Sequence, residues 1–250
     1  GDVYKRQPLM FSLIVAVLNN NRLAWALSTF ASFLTMIFTI LLCFEVSYKS
    51  NISYYLGNWP PPLGIEYVID RISIIPIMIV SVIGLIATLF AHNFFTLEID
   101  EKLVSKTYSL WLLTIAGLIG LITTADAFNL FVFLEISSLS AVALVALGSK
   151  VDRKALVAGY NYLILGAVGA TFYVIGVGLL YGVTGTLNMG DLAQKIPALG
   201  LNKSVIVAFT FMMLGIMVKA AVFPLHIWLP NAYAYAPSPV SVLLAATATK

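Results

Sequence analysis

Long apolar runs separated by short polar joints organise this chain. Eight runs can be drawn, at about 8–19, 22–46, 68–91, 107–124, 127–148, 156–183, 203–223 and 238–250. About 20 apolar residues suffice to cross a hydrocarbon layer roughly 30 Å thick. Lipid also requires each backbone group to find its partner within its own segment, so the runs predict membrane helices. A barrel would need short alternating strands, which the pattern lacks. The joint 47–67 contains Trp59-Pro60-Pro61-Pro62, which cannot be helical and predicts an extended cap outside the lipid. Trp25 and the Tyr108/Trp111 pair open their runs, where amphipathic rings favour the interface. Run 156–183 carries Gly159, Gly166, Gly169, Gly176, Gly178 and Gly182; small residues let helix backbones approach, so it predicts a central packing helix. Residues 187–199 are mixed in polarity, hold Pro197, and suit an interfacial helix. Asp126 is the expected N-cap of the run that follows it, and Pro239 a first-turn proline. Asp70 and Arg71 are expected to pair locally. No internal repeat is visible.

Composition agrees with this pattern. The chain is 60% hydrophobic and 10% charged, against about 45–50% and about 25% in soluble domains. It reads as an all-α integral membrane protein, a polytopic bundle. Cys43 is the single cysteine, which excludes an internal disulfide or a cysteine-based metal cluster. The net charge of +3 is spread over joints, with no basic tract of the kind that binds nucleic acid. Asn51-Ile52-Ser53 and Asn202-Lys203-Ser204 match the glycosylation sequon, too short a motif to carry weight. Arg22, Lys102, Lys106, Lys150, Arg153 and Lys154 fall at odd-numbered joints. Lys49, Arg71, Lys195 and Lys203 fall at even ones. Six against four places the amino terminus outside, and Lys5 and Arg6 would level the count if native. Gly1–Gln7 reads as a non-native or trimmed leader. Lys5-Arg6 before Pro8–Leu18 imitates a signal peptide, but Asn19-Asn20-Asn21 is a poor cleavage site. Lys250 closes the sequence inside an apolar run, so a longer natural protein is expected.

Glu135, Lys219 and Lys250 are charges set inside apolar runs. Each costs roughly 2.5–3.5 kcal/mol at the bilayer centre on insertion scales, and such residues mark ion or proton pathways. Glu135 lies nine residues after Asp126, roughly 13 Å of helix and close to mid-depth. Burial and a neighbouring opposite charge pull the protonation of such a group in opposite directions. A group balanced between them can load and release a proton; the plainer reading is a structural acid bonded to Ser138 or to a neighbouring helix. Lys219 precedes Pro224, which breaks a helix and frees the carbonyl of Ala220 beside the lysine. A lysine near a helix end can instead snorkel to the interface, a reading that weakens if Leu225–Leu229 continues the crossing. Lys250 lies eleven residues beyond Pro239, roughly 16 Å into its helix. His226, between Pro224 and Pro230, is either a proton relay or a structural histidine bonded to a freed carbonyl. His92 reads as a solvated helix end near Glu98, Asp100 and Glu101. The two histidines are far apart and no acids share ligand spacing, so no metal site is expected. Gly176-Val177-Gly178 follows no strand and lacks a third glycine, so it carries no nucleotide signal. With no haem or flavin motif either, no cofactor is expected, and any redox chemistry belongs to a partner.

Phe128-Asn129-Leu130-Phe131-Val132-Phe133-Leu134-Glu135, Lys219 through Pro230, and Ala236-Pro237 through Lys250 carry a resemblance. The chain resembles the antiporter-like membrane subunits shared by Mrp-type cation/proton antiporters, respiratory complex I and membrane-bound hydrogenases. Asn161-Tyr162-Leu163-Ile164-Leu165-Gly166 and Gly185-Thr186-Leu187-Asn188-Met189 look most like the D-type member of the Mrp assemblies. The resemblance implies a fourteen-helix subunit with two inverted five-helix repeats, each with a broken helix and half of a proton path. Residues 8–106 would hold helices one to three, and 107–250 a proton-translocating module of helices four to eight, the first repeat. Glu135 and Lys219 would form an ion pair whose opening tunes the lysine's affinity for a proton, and Lys250 would pass protons onward. The family often has an acid where this chain has Asn231, so no proton role is assigned there.

The expected function is proton translocation within a multisubunit cation (Na+)/proton antiporter in the cell inner (plasma) membrane, alongside other membrane subunits. The alternative is the proton-pumping arm of an NADH:quinone oxidoreductase or a membrane-bound hydrogenase. A third class is a membrane scaffold whose buried charges only fix helix pairing.

Overall fold

The computed structural model describes residues 3–49, 51–200 and 202–248, with side chains from Gln7 onward. Lys250 lies outside the described residues. The elements, in order, are α1 (Val3–Val17), α2 (Asn21–Lys49), β1 (Ile52–Tyr55), β2 (Glu66–Ile69), α3 (Ile74–Glu98), α4 (Glu101–Thr123) and α5 (Ala127–Ala146). They continue with α6 (Lys154–Thr184), α7 (Met189–Ala198), α8 (Lys203–Lys219), α9 (Trp228–Tyr235), α10 (Ser238–Leu243) and a π turn, Leu244–Ala248. The protein is an all-α polytopic membrane protein. Helices α2 to α6 are each long and apolar enough to cross a membrane. Gln7–Val17 and Ser238–Ala248 are shorter apolar stretches, and the remaining crossing is interrupted.

That interrupted crossing is read from what lies beside α6. Along α6, Gly176 packs on Ala208 and Met212, Gly169 on Gly215 and Val218, and Tyr162 stacks on Trp228. Lys154 then lies over the ring of Tyr235. Helix α6, itself long and apolar enough to cross, therefore runs antiparallel to α8, the break and α9 in turn, so residues 203–235 are read together as one interrupted crossing. The run expected at 203–223 continues to Tyr235, and Lys219 sits in the interior of the crossing rather than at its end. The glycine-rich segment packs as expected at Gly169 and Gly176, while Gly178 and Gly182 face open space. Around the α4 side, Trp111, Tyr108, Leu112 and Ile119 are fully buried and anchor the core.

Three boundaries differ from the sequence reading, each for a local reason. The 47–67 cap contains β1, the connecting loop and the first half of β2, an antiparallel hairpin in the register Ile52↔Ile69 to Tyr55↔Glu66. Residues 68–73 thus leave the third run, and α3 begins only after the Asp70 carboxylate accepts from the backbone of Ile72 and Ser73. In return the Asp70 N–H donates to Ser73 Oγ, a reciprocal cap. Asp70 therefore caps the helix, in place of the expected pair with Arg71. Helix α4 starts at Glu101, which puts Tyr108 and Trp111 two turns inside it and in the core rather than at an interface. The Trp111 indole donates to Thr88 Oγ1 at 2.8 Å. His92 is half-buried in the last two turns of α3, its ring tilted by 34° against Trp25 with centroids 4.1 Å apart.

The two ends of the bundle are tied differently. At one end the hairpin locks onto the α4–α5 corner and α7, with the Ala125 N–H donating to Glu66 O and Asn188 Nδ2 to Glu66 Oε2. At the other, Lys150 Nζ donates to Ile99 O, and Glu98 accepts from both the backbone N–H and the hydroxyl of Ser238 at 2.6 Å each.

Candidate functional site

Helix α5 presents the acid. Its N-cap is Asp126, whose carboxylate accepts from Asn129 N at 2.6 Å. Burial pushes the Asp126 carboxyl up, and the bonds from Asn129 and Phe128 work against that. From this start Glu135 and Ser138 fall three residues apart, on one face of the helix.

Helix α8 presents the base. Lys219 is its last helical residue, and the chain then turns through Ala221 at φ 51°. The Val222 N–H reaches back to Met217 O at 3.0 Å and the Ala221 N–H to Val218 O at 3.2 Å. These two bonds are the pair of a Schellman cap, which satisfies the carbonyls that a helix end exposes. The helix therefore ends five residues before Pro224, not through a carbonyl freed at Ala220 by that proline. Pro224 belongs to the irregular stretch 220–227, as the reading of a break near Lys219 and Pro224 required. Pro230 does not break a helix. It occupies the first turn of α9, where a backbone N–H would have no partner in any case.

Lys219 Nζ lies 2.9 Å from Glu135 Oε1 and 2.7 Å from Ser138 Oγ. The two side chains are 10% and 24% exposed, so this is a largely desolvated ion pair. Of the two partners that the plainer reading of Glu135 offered, Ser138 accepts from the lysine instead, and the glutamate's partner lies on the neighbouring helix α8. Gly166 of α6 faces the amine; a Cβ there would come within 3.7 Å of Nζ. Beside the pair is a cavity of about 310 Å³ with mainly apolar walls, into which Lys219, Ser138, Ser137, Thr114, Tyr162 and Thr247 bring polar groups. It connects the ion pair with the π turn that leads towards the end of the chain. The arrangement can hold a proton on either partner and offers polar groups on which water can order.

The structure brings together Glu135 and Lys219, but not His226. No hydrogen bond joins His226 to either among the described residues; its Nδ1 is buried without a partner and its ring lies 5.5 Å from that of Phe223. Sequence reasoning missed Trp228 and Tyr162, whose rings stack 4.2 Å apart at 8° next to the break. Tryptophan and tyrosine in apolar runs look like ordinary core, and only packing distinguishes them. It missed Glu98 as well, which looked like one more charge in an acidic joint.

The chain matches the family described as NADH:quinone oxidoreductase/Mrp antiporter, TM, over residues 124–250. It is 48% identical, over 79% of its length, to the N-type subunit of an NADH-quinone oxidoreductase of Desulforudis audaxviator. It is 31% identical, over 97% of its length, to the D-type subunit of a Na(+)/H(+) antiporter of Bacillus subtilis. These alignments take in 38% and 48% of the relatives, so the chain spans less than half the length of the curated proteins it matches. Among solved structures, a chain of the membrane-bound sulfane sulfur reductase, an archaeal respiratory membrane complex, superposes with a TM-score of 0.90. That match is at 33% identity and covers 99% of this chain and 50% of the other.

Proposed function

This chain belongs to the NADH:quinone oxidoreductase/Mrp antiporter transmembrane family, and on that premise we propose that it moves protons through the membrane as one subunit of a larger assembly. The observation that carries the reading is the Lys219–Glu135 pair at 2.9 Å inside an interrupted crossing, next to a mainly apolar cavity that Lys219, Ser138 and a few other polar side chains also line. Buried ionisable residues at a helix break are the transporter arrangement in general. Lys219 holds a proton while Glu135 is close; when the pair parts, the amine loses its counter-charge and the proton can leave along Ser138 and the cavity. Lys250 receives it in this scheme and passes it towards a second repeat. His226 has no assigned step.

The assembly proposed is a multisubunit cation (Na+)/proton antiporter of a cell inner (plasma) membrane, supported by the antiporter relative aligned over nearly the whole chain. A second reading is the proton-pumping arm of an NADH:quinone oxidoreductase, favoured by the higher identity to the oxidoreductase relative. Residues 8–106 would serve as the flanking helices and 107–250 as the first proton-carrying repeat.

The test is proton flux in sealed vesicles containing the assembled complex. Glu135→Gln and Lys219→Ala are expected to assemble and to lose at least about tenfold in flux, the scale of a single transfer step impaired by some 1.4 kcal/mol. Lys219→Arg should fail as well, because arginine hardly releases its proton. Normal flux in any of these three would remove that residue from the path, and assembly failure in all three would leave only the scaffold reading.

A further inference from the structure

The position of Lys219 depends on how α8 ends, and one side chain from beyond the break takes part in that ending. The indole N–H of Trp228, the first residue of α9, donates to Val218 O at 3.0 Å. Val218 is the residue before Lys219, so the bond acts one peptide plane away from the lysine. Trp228 is 3% exposed, and its ring lies parallel to Tyr162 at 4.2 Å. Tyr162 belongs to α6, as does Gly166 one turn on, the residue that faces Lys219 Nζ. Residues four apart share a helix face, so α6 offers one platform on which the indole and the lysine side chain both rest. Tyr162 also lines the cavity beside the ion pair.

We propose that Trp228 is a positioning residue for Lys219: its N–H bond to Val218 and its stack on Tyr162 set the distance between the lysine amine and Glu135. The proposal rests on the reading of Lys219 as a proton carrier. The indole does not touch the proton. It fixes the last turn of α8 against α9, so that movement of one half of the broken helix is felt at the amine on the other. An aromatic that merely filled space would not need its donor aimed at that carbonyl, which already accepts from the Ala221 N–H.

The experiment uses the full-length protein in its assembled complex, with proton flux measured against pH for Trp228→Phe and Trp228→His. Phenylalanine keeps an aromatic face for the stack and removes the donor; histidine keeps a ring N–H. Trp228→Phe is expected to assemble, to lose flux about tenfold at the wild-type optimum, and to move the pH midpoint by about one unit, the size of a change of one hydrogen bond's worth of differential stabilisation. Trp228→His should lie between that variant and wild type. An assembled Trp228→Phe complex with a wild-type midpoint overturns the proposal. If that variant does not assemble, Tyr162→Leu, which removes the platform and spares the donor, is measured instead, and a wild-type midpoint there overturns it equally. Lys219→Ala in the same vesicles keeps the two ideas apart: normal flux in it defeats the underlying reading, whereas lost flux in it with an unmoved Trp228→Phe midpoint defeats the Trp228 assignment alone.

Discussion

A single methyl group decides whether α6 and α8 can meet. A Cβ at Gly215 would lie 2.5 Å from Gly169 O and 2.7 Å from Tyr173 N, whereas one at Gly178 meets nothing within 4 Å. Overpacking of this kind costs about 1–3 kcal/mol, so Gly215→Leu should lower the thermal midpoint of the detergent-solubilised protein. Gly178→Ala should leave it unchanged or slightly raised, since alanine favours the helix. The same scale governs the ion pair. Removing one partner of a buried pair strands the other charge and costs about 3–5 kcal/mol; with Glu135 24% exposed the lower end applies. The double variant Glu135→Gln/Lys219→Met leaves no stranded charge. It should regain most of the stability that Lys219→Met alone loses while proton flux stays absent, a split that melting and flux assays on the same preparations would reveal. Stability that failed to return would mean the two charges are not partners. Both residues stood out in the sequence as charges in apolar runs. Their pairing did not, because 84 positions separate them and only the packing of α5 against α6, and α6 against α8, closes that gap; the resemblance supplied what pattern alone could not.

Elements end where their caps are satisfied, and two ends here can be tested. The Schellman turn after α8 puts Ala221 at φ 51°, where a Cβ crowds the following carbonyl at a cost of roughly 1–2 kcal/mol. Glycine carries no such cost, so Ala221→Gly should raise stability by up to about 1 kcal/mol, part of the gain being offset by unfolded-chain entropy, and should retain flux. A clear loss of stability would show that the turn is not held as described. Reading the sequence placed the break at Pro224 because proline is the visible signal. Alanine in a left-handed turn leaves none, so the true end at Lys219 was legible only to within five residues. The start of α3 is the second case. Backbone and side-chain hydrogen bonds from Ser73 hold the Asp70 carboxyl below its usual range. A carboxyl lowered by folding adds stability that is fully present above its unfolded value near pH 4 and is lost as pH falls through its folded value. Asp70→Ala should therefore cost about 1 kcal/mol at neutral pH, as lost caps do. The difference from wild type should shrink as pH falls below about 4 and vanish only below the lowered folded value. A difference independent of pH would assign the effect to something other than the cap.

At the scale of the molecule, the crossings and the hairpin hold the ion pair between two differently tied ends. The class of the crossings was legible because lipid requires helices of an apolar run, while of the eight runs drawn only α2 to α6, among the described residues, are each long enough to cross by themselves. The hairpin was not, since Ile52–Tyr55 is short, lies outside lipid, and is defined by partners at Glu66–Ile69, beyond a proline run that hides the return strand. Glu98 was hidden for a related reason: charge in a joint looks solvated until a distant helix is brought to it. Its carboxylate receives the N–H and the hydroxyl of Ser238, 140 positions away, and so caps α10 from the end of α3. Lys154 over Tyr235 and the close approach of Gly148 to Tyr235 O gather the same corner from the start of α6 and the link between α5 and α6. The first helices are thus tied to the far end of the proposed repeat, and the turn between α9 and α10, which carries the chain from the broken helix to the cavity wall at Thr247, has α3 as its anchor. Hydrogen bonds to a charged group contribute about 1.5–3 kcal/mol, and leaving the Ser238 groups without an acceptor adds to the loss. By the same reasoning Glu98→Leu should lower stability by about 2–3 kcal/mol, and Glu98→Gln, which keeps one acceptor, by less. If the corner transmits position to the cavity, flux per assembled complex should fall in the same order, leucine below glutamine below wild type. Equal flux per complex in all three would confine Glu98 to holding the fold together.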